Sequence, residues 1–200
     1  MKEKKISVAI TGNIGSGKST FCRFLSEAGF PLINADDLAK EILHENKSVK
    51  KKIILTFGEM SYSKGSLNNS YLAENIFSDP GKVQKLNSIV HPVVISETNR
   101  LVAEYQKKSK VVFTEAALIY EADMEDFFNH VVLITSPLKI RLERAVKSKK
   151  FSESDFLKRD SNQIPQEEKI KRADFIFENN GSLSDLRKKA DLLILILTSL

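Results

Sequence analysis

The chain has 200 residues, of which 42% are apolar and 28% charged, which suits one folded domain carrying small insertions and excludes disordered and collagen-like chains. Its single cysteine, Cys22, excludes a disulfide framework and a multi-cysteine zinc site, and His44, His91 and His130 are too widely spaced to suggest a metal cluster. A formal charge of +5 suits a polyanionic partner, whether nucleic acid, membrane or phosphorylated small molecule, without choosing among them.

"MKEKK" leads straight into a strand-like run with no hydrophobic leader. The terminal "LLILIL" falls far short of the roughly 20 residues that span a bilayer. The expectation is therefore a soluble, cytoplasmic protein.

In chain order, "ISVAIT" (6–11) reads as a buried strand ending at glycine. Phe21, Phe24, Leu25 and Ala28 then share one helical face, stopped by Gly29. "FPLIN" (30–34) is a second strand. From about Leu38 to Tyr105 the pattern is helical: Val49, Ile53 and Phe57 share a face, as do Val94, Leu101 and Tyr105. Between them "SYSKGSLNNS" reads as a polar loop and "SDPGK" as a turn before a helix, and His91 and Pro92 read as a further helix start. "VVFTEA" (111–116), "VVLIT" (131–135) and "DFIFE" (174–178) complete five buried strands. A last helix places Leu183, Leu186, Ala190, Leu193 and Leu197 on one stripe.

Five buried strands with helices between them predict an α/β fold around a five-stranded parallel sheet. The core pieces are 1–35, 109–138 and 173–200. A helical insertion occupies 36–108, and a basic helical segment, 139–172, is expected to form a small lid.

The strongest signal is "GNIGSGKS", the spacing G-x-x-x-x-G-K-[ST] of a Walker A phosphate loop, set between a strand and an amphipathic helix as that motif requires. Gly12, Gly15 and Gly17 permit backbone conformations that turn N–H groups inward onto phosphates, with Asn13, Ile14, Ser16 and Thr20 completing the cradle. Lys18 reaches the β- and γ-phosphates and the Ser19 hydroxyl ligates Mg²⁺. The D-x-x-G and N-K-x-D of GTPases and the serine-glycine-glycine signature of ABC-type ATPases do not occur. Small phosphotransferases remain.

Asp36 and Asp37 follow the second strand, where a carboxylate can orient an attacking hydroxyl or cap the next helix. Glu115 ends the third strand, the place of an acid that supports Mg²⁺ or a solvated carboxylate. Arg141, Arg144, Lys147, Lys149, Lys150, Lys158 and Arg159 form a basic belt, read either as a solvated face or as lid cations over a transferred phosphoryl group. Only Phe151 and Phe156 interleave it, which argues against nucleic acid. Cys22 reads as core.

The order of these pieces resembles the dephospho-CoA kinase family. The resemblance runs from about Ile6 to Gly181 through "TGNIGSGKST", "GFPLINADDLAK", "LNSIVHP", "ALIYE" and "RADFIFENNG". It implies transfer of the γ-phosphate of ATP to the ribose 3′-hydroxyl of dephospho-CoA, with Mg²⁺ as cofactor. A P-loop kinase core, a helical substrate-binding insertion and a closing lid are implied too. By resemblance Asp36 activates the hydroxyl, Lys18 and Ser19 serve phosphate and Mg²⁺, and Arg144 is a lid arginine. Asn87, His91, Leu118 and Glu121 match positions near the CoA substrate; Asn179 and Gly181 match the loop beside adenine. Asn34, Asn69, Glu115, Ala117 and Ser148 depart from the family's usual aspartate, arginine, aspartate, proline and second lid arginine. The competing readings are a kinase of another nucleoside or nucleotide and a non-enzymatic ATP-binding regulatory protein.

Overall fold

The structure, a computed structural model, describes residues 5–63, 65–76, 79–148 and 151–200; Lys149 and Lys150 of the basic belt lie outside them. In chain order, strand β1 (Ile6–Thr11) leads through the glycine-rich loop into helix α1 (Lys18–Glu27), then β2 (Leu32–Asn34). Next come α2 (Ala35–Glu45), α3 (Lys47–Phe57), the short strands β3 (Tyr62–Ser63) and β4 (Ser66–Leu67), α4 (Asn69–Asn75) and α5 (Pro80–Tyr105). β5 (Val111–Glu115), β6 (His130–Thr135), α6 (Leu138–Lys147), α7 (Glu153–Ser161), α8 (Gln166–Arg172), β7 (Phe175–Glu178) and α9 (Leu183–Ser199) complete the chain. Among the described residues, no helix is long and apolar enough to cross a membrane.

Two compact units result: residues up to Asn34 together with Leu101–Leu200, and Ala35–Arg100. The first contains the predicted five-stranded sheet, in the order β2-β5-β1-β6-β7, with every neighbouring pair parallel. β1 lies at its centre and is buried throughout, as a short run rich in β-branched residues predicts. The chain departs from β1 to both sides, so ligands are expected beyond the carboxyl ends of β1 and its neighbours. Phe21 and Leu25 of α1 and Leu186, Leu193 and Leu197 of α9 pack with Val8, Ile10, Phe113 and Ile134 into one core. Cys22 is wholly buried in that core. Gly29 ends α1 in the left-handed region, as its place in the sequence predicts.

Three local expectations are corrected. Pro92 does not open a helix. It lies inside α5, which begins twelve residues earlier at Pro80, where the Asp79 side chain accepts from the N–H groups of Gly81 and Lys82. Asp-Pro is the true start signal, and packing of Leu86, Val90 and Val94 carries the helix through the second proline. The polar stretch after the 3₁₀ turn at Glu59–Ser61 is not a plain loop. It contains an antiparallel hairpin pairing Tyr62 with Leu67 and Ser63 with Ser66. Leu183 is 65% exposed, since it occupies the first turn of α9 and the core begins at Leu186.

Candidate active site

The glycine-rich loop joins the central strand to α1. Gly17 caps α1 in the left-handed conformation with no side-chain cap, so the first helical N–H groups remain available to an anion. A Cβ on Gly17 would collide with the Asn179 side-chain amide, so residue 17 is glycine by space as well as by φ. Asn179, which follows β7, donates from Nδ2 to the Ser16 carbonyl at 2.8 Å.

Directly beside the loop, Lys18 Nζ and Ser19 Oγ donate to the same oxygen, Glu115 Oε1, at 2.7 and 2.6 Å. Glu115 is 4% exposed and is the last residue of β5, in register with Ile10 of β1. Parallel pairing thus carries the acid to the edge where the loop begins. Cys22 lies one turn beyond Ser19. Burial, and secondarily the Glu115 carboxylate, push its thiol well above the ordinary value, which keeps it protonated.

Arg144 of α6 donates from Nη2 to the Asn179 carbonyl at 2.9 Å and from Nη1 to Ser136 Oγ at 3.4 Å, and burial pulls its guanidinium below the ordinary value. Asn179 therefore links the phosphate loop to Arg144. Gly181 is exposed in the turn before α9, which Ser182 and Asp185 close with a reciprocal capping box.

The remaining predicted residues fall elsewhere. Glu121 forms an ion pair with the fully buried Lys169 at 2.8 Å and accepts from the Ile164 N–H at 2.9 Å; Leu118, in the same loop, is 41% exposed. In the helical unit, Asn87 and His91 lie four residues apart on one face of α5, both half-buried, and burial holds the His91 imidazole below its ordinary value. Asp36 and Asp37 occupy the first turn of α2, where their charge suits the helix dipole. Asp36 follows Asn34, the end of β2, which is in register with Glu115.

Arg141, one of the belt read either as a solvated face or as lid cations, is 5% exposed and bonds Asp160 and the phosphate loop. The available signal was positional: Arg141 falls on the same face of α6 as the buried Ala145. Gln163, with Arg159, matches the family's lid by resemblance, whereas Asp160 carried no signal of its own.

A phosphate loop after the central strand of a parallel sheet, with a lysine, a serine and a strand-end carboxylate converging beside it, defines a P-loop nucleotide-binding protein. The family model described as dephospho-CoA kinase matches residues 6–185. A dephospho-CoA kinase of Fusobacterium nucleatum is 36% identical over 185 residues, covering 92% of this chain and 94% of that one. A crystal structure from Thermus thermophilus, 35% identical, superposes with a TM-score of 0.80 over 97% of this chain and 98% of that one. The dephospho-CoA kinase of Campylobacter jejuni, 29% identical, gives 0.71 over 94% of each chain. The chain belongs to the dephospho-CoA kinase family.

Proposed function

We propose that the chain transfers the γ-phosphate of ATP in line to the ribose 3′-hydroxyl of dephospho-CoA, releasing coenzyme A and ADP, with Asp36 accepting the hydroxyl proton. The observation that carries this reading is the convergence of Lys18 and Ser19 on Glu115 beside the phosphate loop, in a chain of this family. A ribose hydroxyl is a weak nucleophile, so the work is orientation, a carboxylate to take its proton, and neutralisation of phosphate charge.

The residues present fit a bound Mg²⁺. The Ser19 hydroxyl and Glu115 carboxylate are hard oxygen donors 2.6 Å apart, and Mg²⁺ uses few protein ligands and keeps several waters. Held there by Ser19 and Glu115, Mg²⁺ would supply positive charge that offsets the charge of the phosphates. Lys18 exchanges its bond to Glu115 for phosphate oxygens. The glycine-rich loop from Gly12 to Gly17, with Asn13, Ile14, Ser16 and Thr20, cradles the triphosphate. Arg144 stabilises charge on the transferred group, and the loop carrying Asn179 and Gly181 borders adenine. By family resemblance we assign Asn87, His91 and Leu118 to recognition of the CoA substrate. For Glu121 we assign the ion pair with Lys169 as its main task, with substrate contact secondary.

Purified protein incubated with Mg·ATP and dephospho-CoA, with adenosine and AMP in parallel, should form CoA and ADP in equal amounts and leave the simpler acceptors unreacted. ADP without CoA, or turnover of AMP, would overturn the acceptor assignment.

A further inference from the structure

Arg141 is buried, yet its guanidinium is engaged on every side. Nε donates to the Ser136 carbonyl at 3.1 Å, Nη1 to the Ile14 carbonyl at 3.1 Å and to Asp160 Oδ1 at 2.5 Å, and Nη2 lies 3.5 Å from Asp160 Oδ2. The fully buried Phe156 ring lies beneath it, 5.9 Å from the guanidinium carbon. Withdrawing an ion pair from water is costly, and an apolar pair of the same size often serves stability as well. The pair therefore needs a purpose that packing does not supply.

That purpose is visible at Ile14. Its carbonyl is taken by Arg141, and its N–H donates to Gln163 Oε1 at 2.8 Å. The next residue, Ile164, holds the loop as well: its carbonyl accepts from Asn13 Nδ2 at 3.2 Å, while its N–H goes to Glu121. The Ile14 carbonyl belongs to the peptide whose N–H is that of Gly15. In a planar trans peptide the two point in opposite directions, so fixing the carbonyl on Arg141 turns the Gly15 N–H away from the Arg141 guanidinium. Gly15 itself has φ 79°, and a Cβ there would lie 2.6 Å from the Arg141 carbonyl. One turn of α6 thus excludes a side chain at position 15 and orients the peptide before it.

We propose that Arg141, held by Asp160 and aided by Gln163, is a positioning residue for the phosphate loop: it fixes the Ile14 peptide so that the Gly15 N–H faces the triphosphate. The proposal rests on the ATP-binding reading of that loop. Arg141 differs in role from Arg144. Its charge is matched by Asp160, so it acts through the loop rather than on the transferred phosphoryl group.

The test is the double variant Arg141→Met/Asp160→Leu, which keeps the buried volume and removes the hold on Ile14. Its Tm should stay close to that of the unaltered protein, while KM for ATP and the Kd for ATP rise about tenfold, the scale of a lost hydrogen bond from a charged donor. KM for dephospho-CoA should change by less than about twofold. Arg141→Lys, which keeps the ion pair and loses the fork, should shift ATP affinity in the same direction by a smaller factor. If the double variant does not fold, Arg141→Lys alone decides the matter by the same ATP-against-dephospho-CoA comparison. Unchanged ATP affinity in a folded variant, or equal losses for both substrates that track a lowered Tm, would overturn the positioning role and leave the functional reading intact. Failure of the unaltered protein to bind ATP would overturn both.

Discussion

Asp36 and Asp37 follow β2 by two and three residues, in the first turn of α2, and strand ends are where α/β enzymes gather their reactive groups. The two aspartates separate by chemistry that a substitution can read. Asp37 bonds Lys40 one turn along the exposed side of α2 at 2.6 Å. If Asp36 takes the ribose proton, Asp36→Asn should lower kcat by about 100-fold or more while the Kd for ATP stays within about twofold. Asp37→Asn should leave kcat near its original value. A surviving rate in Asp36→Asn, measured by CoA formation, would remove Asp36 from the role of base. His91 offers a pH test. Burial lowers its pKa from the ordinary 6.5, so between the folded and unfolded values the unfolded chain binds more protons. Its contribution to stability is therefore complete above pH 6.5 and is lost as pH falls through the lowered value. Between about pH 7.5 and about pH 5.5 the original protein should lose more stability than His91→Gln, by denaturant titration at each pH. An identical pH dependence in the two proteins would mean that the imidazole is not the titrating group.

Among the elements, α9 shows most directly how a helix is read by its buried stripe. Leu193 is fully buried against the sheet and α1, whereas Leu195, two residues on, is 66% exposed. Leu193→Ala should cost about 3 kcal/mol by lost burial and a cavity, lowering Tm by roughly 6–12 °C. Leu195→Ala should change stability by no more than about 0.5 kcal/mol. Equal effects in calorimetry would show that the stripe is misassigned. The sheet strands and α1 were legible because each strand is a short, mostly apolar run and α1 has an apolar face of period 3.6 that ends at a glycine. Less legible were elements decided by context. Pro92 resembles a helix start, and only the long contact line of α5 overrides it. The hairpin at Tyr62 and Leu67 has too few residues to show alternation. At the site, Lys18, Ser19 and Glu115 were legible because a motif or a strand end marks each. Arg141 was legible only as one charge of a basic belt, and its burial was not, because its partners, Ile14 and Asp160, are brought to it by the fold, 127 and 19 residues away in sequence.

For the whole molecule, the proposed roles divide between the two units. The phosphate loop, Glu115, Arg144 and Asn179 all belong to the unit that contains the sheet, while Asn87 and His91 belong to the helical unit. ATP binding should therefore register as stabilisation of the sheet unit even with no acceptor present. At a free Mg·ATP concentration of about 100 times Kd, mass action stabilises the bound state by about 2.7 kcal/mol. For a protein of this size that is roughly 5–10 °C in Tm. Chelation of Mg²⁺ should shrink the shift without abolishing it, because the loop N–H groups and Lys18 still meet the phosphates. Lys18→Ala has an additional effect on the free protein: it leaves the buried Glu115 without its ion pair, so the unliganded Tm should fall as well. Two readouts then separate Lys18's roles. A lower starting Tm with a normal ATP shift would make Lys18 a partner of Glu115 and nothing more. A lower starting Tm together with a lost shift is the expected result if the ammonium group that neutralises Glu115 in the free enzyme serves the phosphates in the complex, as proposed.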